Sequence, residues 1–275
     1  MSAPTSTVFP RGPRPALGLV LALVTLLAAC GVVEEQDRAP SRPPADIMST
    51  PDAVPRPEPR SRYGNPRSYE VLGRRYQVMD GAEGYVERGI ASWYGEKFQG
   101  RHTSSREIYD MYAMTAAHKS LPLPTYVRVT NLENGRQVVV KVNDRGPFHA
   151  NRIIDLSYAA AAKLGILRQG TGLVEVRALT GAGRAPSPPL LRQAARDGLA
   201  LYLQVGAFTE RENAARLKTR LHSFSPVPVR VVEALAGSGR VHRVQLGPVQ
   251  GVTAMDDLAA LVSSRGIRDM HVVVE

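Results

Sequence analysis

The sequence predicts two folded domains in a row, a mainly β domain built as a small barrel and then a compact α+β domain. The barrel is indicated by short segments rich in β-branched and aromatic residues. A strong hairpin signal, Asn134-Gly135, joins two of them. The second domain is indicated by segments in the order β-α-β-β-α-β. With 275 residues, 43% of them hydrophobic, the chain can build both cores.

The predicted barrel domain covers residues 83–180. Asp155 is interpreted as the N-cap of a short helix over residues 156–164, which Gly165 ends. Many short strands with one or two helices are typical of a small barrel. The predicted strands cover residues 90–94, 126–130, 137–142 and 173–179.

The predicted α+β domain covers residues 198–275 and follows a Pro- and Ala-rich linker, residues 181–197. It contains a weak internal repeat, because Gln204-Val-Gly-Ala-Phe208 returns as Gln245-Leu-Gly-Pro-Val249. In each half a strand ends near a glycine and a helix follows. The predicted strands are 201–205, 228–232, 240–246 and 270–274, and the predicted helices are 210–222 and 252–264.

The N-terminal region has the pattern of a secretory signal. Arg11 and Arg14 precede an apolar run of 14 residues, 16–29, and small residues lie before Cys30. A run of this length is short for a membrane span. We therefore expect a signal peptide over residues 1–29, with cleavage before Cys30, which is the single cysteine.

Residues 30–82 are expected to form a tether. Eight prolines lie between Pro40 and Pro66, and the segment shows little apolar periodicity. Such a segment cannot bury enough apolar surface to fold alone. A Pro-rich tether is semi-extended and gives reach away from a membrane. Its last part, from Tyr69 on, could order as an arm on the next domain.

The charge pattern favours an anionic polymer such as a cell wall over nucleic acid. The net charge is +10, but it is spread along the chain without a basic tail or a Lys/Arg block. The six histidines show no paired metal-ligand spacing. No Gly-rich phosphate loop is present. We therefore expect no metal, no cofactor and no nucleic-acid partner.

Three carboxylates and a histidine in the barrel region could perform acid–base chemistry: Glu107, Asp110, His118 and Asp144. Each has a simpler interpretation. Glu107 could be a solvated loop acid, and Asp110 could cap the segment after it. His118 could be a hydrogen-bonded structural histidine, and Asp144 could be a turn residue in Asp-Arg-Gly-Pro.

A family resemblance favours the functional interpretation of these four residues over the simpler ones. Residues 88–167 include RGIASWYGEKFQGRHTSS, TAAHKSLPLPTYVRVTNLENGRQVVVKVNDRGPF and RIIDLSYAAAAKLGI. This stretch strongly resembles the rare lipoprotein A family, whose members are double-psi β-barrel lytic transglycosylases of the bacterial septum. The resemblance implies a six-stranded barrel and a pocket that contains Glu107, Asp110, His118 and Asp144. Asp144 is the expected acid–base, because the aspartate of this motif has a counterpart in other double-psi barrel wall enzymes.

The last domain resembles the SPOR domain, a βαββαβ module that binds peptidoglycan stripped of its stem peptides. The matching residues are Gln204, Gly206 and Phe208 in the first strand, and Arg243, Gln245, Gly247 and Pro248 in the third. We expect Gln204, Phe208, Arg243 and Gln245 to bind glycan. In the barrel, Trp93 and Tyr94 could form a sugar-stacking platform, although a core role for Trp93 is equally open.

The segment Leu27-Ala28-Ala29-Cys30 resembles the bacterial lipoprotein signal, in which the cysteine is lipidated. Two or three acyl chains hold a protein stably on a membrane. Gly31 replaces the Asp that would retain the protein in the inner membrane, which favours the inner leaflet of the outer membrane. The resemblance also implies enrichment at the division septum, and divisome or amidase proteins as partners.

The resemblance implies cleavage of the bond between N-acetylmuramic acid and N-acetylglucosamine, with 1,6-anhydro product ends. One departure stands out. The family usually reads Thr-Ala-Ser-Gly-Glu, whereas this chain has Thr103-Ser-Ser-Arg-Glu107. If the glycine position needs a positive φ, Arg106 is strained there, and its guanidinium would favour the ionised form of Glu107. Two rival interpretations are a glycan-binding protein without turnover and an expansin-like wall loosener.

Overall fold

The computed structural model describes residues 37–149, 151–179, 199–236 and 239–275. The expected signal peptide, the expected lipidation site Cys30 and the expected linker 181–197 lie outside the described residues. None of the helices in the described ranges is long and apolar enough to cross a membrane.

Six strands form a closed barrel, as predicted. Around the barrel their order is β3-β7-β4-β6-β5-β8. Neighbours pair antiparallel except β3 with β7 and β4 with β6, which are parallel. Buried valine, isoleucine, leucine and alanine side chains fill the interior. The strands are β3 (Val86–Tyr94), β4 (Thr115–His118), β5 (Thr125–Asn131), β6 (Gln137–Asp144), β7 (Arg152–Ser157) and β8 (Gly172–Ala178).

The prediction that Asp155 is a helix N-cap is wrong, because Asp155 lies within β7. β7 pairs on one side with β3 and on the other with β4, so the backbone of Asp155 is extended. The helix, α1 (Tyr158–Leu164), begins two residues later than expected. Its N-cap is Ser157, whose Oγ accepts a hydrogen bond of 3.2 Å from the Ala160 N–H. Gly165 ends the helix at φ +81°.

For residues 37–82 the expectation of a free tether does not hold, because this segment lies along the barrel as an ordered arm. Its backbone N–H groups donate hydrogen bonds to barrel carbonyls. The N–H of Ala53 bonds to the carbonyl of Val139 at 3.0 Å, and that of Ser61 to the carbonyl of Leu123 at 2.8 Å. The segment uses the barrel's surface instead of a core of its own. Near its end β1 (Ser68–Val71) and β2 (Arg74–Gln77) form a hairpin.

The last domain has the predicted βαββαβ order. Its antiparallel sheet runs β10-β11-β9-β12, and two helices pack on one face. Buried residues such as Leu203, Leu246 and Met255 form the core. The elements are β9 (Leu201–Phe208), α2 (Arg211–His222), β10 (Val229–Ala236), β11 (Gly239–Val249), α3 (Gly251–Ser264) and β12 (His271–Val274).

The barrel and the last domain share an apolar contact. Ile90, Leu132 and Leu173 of the barrel belong to the same cluster of buried side chains as the core of the last domain. The first five residues of β9 are all buried, the pattern of a strand covered on both faces. Arg152 of the barrel also donates two hydrogen bonds, of 2.8 and 2.7 Å, to the carboxylate of Asp256 on α3.

Candidate active site

Four neighbouring strands place Ser92, Asp155, Ala117 and Asp144 side by side on the outer face of the barrel. Ser92 pairs with Asp155, Asp155 with Ala117, and Ala117 with Asp144. We call this set the carboxylate row. Since strands lie about 4.8 Å apart, the two aspartate Cα atoms are about 10 Å apart. Between them lies the methyl group of Ala117, which is buried in a cluster with Tyr94, Tyr109 and Tyr158.

A local irregularity turns Asp144 toward this face. Ala116 pairs with Val142 and Ala117 pairs with Asp144, so Asn143 is an extra residue in β6. Such a bulge re-aims the side chains that follow it. Asn143 donates a hydrogen bond of 2.8 Å to Glu107. The row therefore depends on a feature of pairing that residue spacing does not reveal.

Three donors converge on Oδ1 of Asp144. They are the backbone N–H of Ser104 at 2.8 Å, the hydroxyl of Ser104 at 2.6 Å, and the N–H of Arg145 at 2.7 Å. Hydrogen bonds of this kind stabilise a carboxylate. The Arg145 guanidinium points away and donates to the carbonyls of Gly64 and Leu121 at 2.7 and 2.6 Å.

Asp155 has a different environment. The hydroxyl of Ser92 donates a hydrogen bond to its Oδ1. Burial raises the pKa of Asp155 to about 6, against the opposing effects of Ser92, Arg152 and Lys119. The loop after Asp144 lies over this part of the row, because a Cβ built on Gly146 would be 4.0 Å from Oδ2 of Asp155. Sequence analysis missed this residue, since an aspartate just before a helix suggests a cap.

Glu107 lies beside β6, half-exposed, and accepts a hydrogen bond of 2.8 Å from Lys141. The expected influence of Arg106 on Glu107 is not what the structure shows, because the guanidinium of Arg106 lies over the Tyr63 ring, 5.5 Å from its centroid. The backbone of Arg106 has φ +73°, so the position does need the conformation that glycine adopts most easily.

Asp110 and His118 fit their simpler interpretations. Asp110 is exposed, and its Oδ1 accepts a hydrogen bond of 3.0 Å from the N–H of Tyr112 in the turn that follows. His118 is one residue beyond Ala117 on β4, so it faces the barrel interior, where it is 2% exposed. Neither side chain belongs to the carboxylate row.

His118 is held as a neutral ring. Its Nδ1 accepts hydrogen bonds from the N–H groups of Ser120 and Leu121 at 3.1 and 3.0 Å. The proton therefore lies on Nε2, which donates to the Tyr85 hydroxyl at 2.8 Å. Burial, with the charges of Arg145 and Lys119, lowers the pKa of His118 to about 3. His118 thus organises the backbone after β4.

The two predicted stacking residues are packed within the protein. Tyr94 is buried and its ring stacks on Tyr109, with centroids 4.2 Å apart. Trp93 is half-buried against the barrel core and meets Tyr158 edge-on at 5.7 Å. The structure therefore favours the packing role for both. Tyr94 lies on the same face as Ser92 and forms a wall beside the carboxylate row.

Two predicted glycan-binding residues are buried. Gln204 is 5% exposed and Gln245 is 2% exposed, and Gln245 donates a hydrogen bond of 3.4 Å to Gln204. Arg230 donates to the Gln245 side chain at 2.9 Å and lies 3.4 Å from the centroid of the Tyr202 ring.

Phe208 and Arg243 are only partly buried. Phe208 packs beside Gly206, where an added Cβ would be 2.8 Å from the phenyl ring. Within the described ranges no group of three His, Cys, Asp or Glu side chains is arranged to hold a metal ion.

Comparison with known families agrees with this architecture. Residues 86–176 match a family model described as lytic transglycolase, and residues 200–272 match the SPOR domain. The closed barrel, its carboxylate row and the appended sheet domain thus define a double-psi barrel protein of the lytic transglycolase class. Within that class, the chain belongs to the RlpA family.

The family assignment depends on two long matches. The chain is 40% identical over 258 residues to the endolytic peptidoglycan transglycosylase RlpA of Pseudomonas aeruginosa strain UCBPP-PA14, covering 74% of each chain. It is 40% identical over 253 residues to the RlpA of Vibrio cholerae, covering 90% of this chain and 93% of that protein. The crystal structure of the RlpA SPOR domain from Pseudomonas aeruginosa is 29% identical with a TM-score of 0.26, covering 26% of this chain and 96% of that one.

Proposed function

We propose that this protein is an endolytic lytic transglycosylase. It cuts the bond between N-acetylmuramic acid and N-acetylglucosamine in peptide-stripped peptidoglycan and leaves 1,6-anhydro ends. The observation that carries the proposal is the carboxylate row, which presents two carboxyl groups on one face of the barrel with only Ala117 between them. The names of the relatives, endolytic peptidoglycan transglycosylases, support it.

The reaction needs one group that gives and then takes back a proton. A carboxylic acid protonates the glycosidic oxygen, and the C1–O bond breaks with its electron pair on that oxygen. The resulting carboxylate takes the proton from the muramoyl 6-hydroxyl while O6 bonds to C1. No water is consumed and the acid is regenerated. Ordinary glycosidases instead pair two carboxylates around water or a covalent intermediate.

The predicted site residues take different roles in this proposal. Asp144, the acid–base expected from the sequence, lies at the site and is one of its two candidate carboxyl groups. Its ionised form would oppose the positive charge that develops on the sugar ring. Glu107 supports this position through Asn143 and Lys141. His118 holds the segment after β4 in place. The carbonyl oxygens of His118 and Leu121 accept hydrogen bonds from the Arg145 guanidinium.

We place the catalytic unit from residue 37 to about residue 180, because the arm lies on the barrel, and the SPOR domain from residue 198. Lipidation of Cys30 would anchor the chain to the inner leaflet of the outer membrane. The SPOR domain would recruit the enzyme to denuded glycan at the septum, where divisome or amidase proteins would meet it. The net charge of +10 suits an anionic envelope polymer.

The experiment incubates the purified full-length protein, in detergent, with peptide-free glycan strands and identifies products by mass spectrometry. We expect anhydromuramoyl ends from the wild type. Asp144→Asn should reduce their rate of formation by about 100-fold, because an amide cannot oppose positive charge. Bound glycan without new ends would refute the proposal and favour the binding-protein interpretation. Reducing, hydrated ends would identify a hydrolase instead.

A further inference from the structure

We propose that Asp155, hydrogen-bonded by Ser92, is the group that carries the proton in this site, while Asp144 acts beside it as the second carboxyl group. The inference deepens the proposed function and depends on it, because it assigns the acid–base of that reaction. It departs from the expectation based on sequence, in which Asp144 performs this task.

The position of Asp155 in the sheet fixes its side chain. β7 is bonded to β3 on one side and to β4 on the other, so Asp155 lies in the interior of the sheet and not at an edge. Ser92 is its register partner on β3, which places the hydroxyl against one carboxylate oxygen. A residue held from both sides in this way keeps the sub-ångström placement that proton transfer requires.

The second oxygen of Asp155 points toward the loop that follows Asp144. A Cβ added at Gly146 would lie 4.0 Å from Oδ2 of Asp155 and 3.8 Å from Cβ of Ala117. Gly146 has φ +137°, a conformation that side chains rarely adopt, so the loop brings bare backbone over the row. The same added Cβ would lie 3.9 Å from the Phe148 ring, so loop backbone and this ring border the side of the row that Oδ2 faces.

The two carboxyl groups of the row have different charged and hydrogen-bonding neighbours. Around Asp155, Arg152 and Lys119 favour the ionised form, whereas burial and the negative charge of Asp37 oppose it, and burial dominates. Its pKa of about 6 leaves a fraction of the acid protonated near neutral pH. Asp144 instead receives three hydrogen-bond donors on one oxygen. Two carboxyl groups in unlike environments are the usual basis for dividing acid and carboxylate roles.

In the reaction, the proton passes from Oδ2 of Asp155 to the glycosidic oxygen as the C1–O bond breaks. The Asp155 carboxylate then accepts the proton of the muramoyl 6-hydroxyl as O6 bonds to C1. The Ser92 hydrogen bond stabilises this carboxylate between the two steps. Asp144, across Ala117, faces the sugar ring as the second carboxyl group of the site.

The test compares full-length wild type with Asp155→Asn and Asp144→Asn on peptide-free glycan strands. Asp155→Asn should lower the rate of anhydro-end formation by at least about 1,000-fold, because the amide has no proton to give. Its thermal unfolding midpoint and its glycan binding, measured by co-sedimentation, should stay near those of the wild type. Retention of more than a tenth of the wild-type rate by Asp155→Asn would overturn the inference.

A second variant gives a readout that a structural role would not produce. The acid must be protonated, so the rate falls as pH rises through its pKa. Ser92→Ala removes a hydrogen bond that lowers the pKa of Asp155, so the fall in rate should move to higher pH. If the fall in rate occurs at the same pH in Ser92→Ala as in the wild type, the inference is contradicted. This test remains valid even if Asp155→Asn fails to fold. A wild type that binds glycan but makes no anhydro ends would instead reject the proposed function itself.

Discussion

Arg106 occupies a backbone conformation that usually belongs to glycine. Its φ is +73°, and the turn that it completes, with its N–H bonded to the carbonyl of Thr103, also presents Ser104 to Asp144. A left-handed conformation costs a non-glycine residue about 1–2 kcal/mol. The position therefore stores strain one turn away from the carboxylate row.

We expect Arg106→Gly to stabilise the protein slightly. The strain that is relieved is larger than the free-energy cost of glycine's greater entropy in the unfolded chain, which is about 0.4–1 kcal/mol. The melting temperature should rise by about 1–4 °C in a thermal unfolding scan. Arg106→Ala is the matched control, because it removes the contact with Tyr63 but keeps a Cβ at positive φ. A lower melting temperature for Arg106→Gly than for Arg106→Ala would contradict this account.

The candidate site was only partly predictable at the level of residues. Asp144 was predicted from its motif, and it lies in the carboxylate row. Asp155 was misassigned because helix capping is a local signal, whereas its place within a strand depends on pairing with β3 and β4. His118 was expected at the site but faces the interior. The alternation that separates it from Ala117 becomes visible only once β4 is known to be a strand.

At the level of elements, the strands rich in β-branched residues were predictable and the polar ones were not. β5 and β6 alternate or run in valine, and Gly135 between them has φ +73°, as the hairpin signal indicated. β4 has four residues, Thr115-Ala-Ala-His118, with weak strand propensity. It is a strand because β6 and β7 bond to it on either side. The arm was misjudged because its partners are distant in sequence.

Glu58 ties the arm to the barrel. It accepts hydrogen bonds from Tyr126 at 2.5 Å and from Lys141 at 3.0 Å, besides Arg56 within the arm at 2.9 Å. Burial raises its pKa, but the hydrogen bonds from Tyr126, Arg56 and Lys141 outweigh burial and lower the pKa to about 2. A lowered pKa means that Glu58 stabilises the folded state above pH 4.5 and loses this effect as pH falls toward 2.

Replacing Glu58 by Gln should therefore destabilise the protein at neutral pH by about 1–3 kcal/mol, since Lys141 and Tyr126 lose a charged acceptor. Unfolding free energies of wild type and variant, measured from pH 3 to pH 7, should converge as the pH falls. Glu70→Gln, at an exposed site on β1, serves as the control and should track the wild type. A constant gap between Glu58→Gln and wild type at every pH would show that ionisation of Glu58 is not involved.

On the scale of the whole molecule, the contact between barrel and SPOR domain decides which surfaces are free. Arg152 is 8% exposed and bonds to Asp256 on α3, and Arg74 of the arm hairpin pairs with Asp269 at 2.9 Å. Gln204 and Gln245, expected to bind glycan, are buried in this arrangement. Sequence analysis treated each domain separately and contained no signal for how they meet.

Asp256→Ala should loosen this contact, because a nearly buried guanidinium would lose its partner. We expect faster hydrogen exchange of the amides in residues 201–208, measured by mass spectrometry. Tighter binding to peptide-free glycan should accompany it if the contact covers the binding face. Asp257→Ala, exposed on the same helix, is the matched control. Unchanged exchange in Asp256→Ala would mean that this ion pair does not hold the two domains together.

Ala117 is the register partner of both aspartates, so one short strand sets the alignment of the whole row. Substitutions in loops alter one contact at a time, but a change in the length of β4 would shift Asp144 and Asp155 together relative to Ala117. Because side chains alternate in a strand, a slip of one residue would turn the interior histidine outward and the alanine inward. We therefore expect this enzyme to tolerate substitutions in β4 far more readily than insertions or deletions there.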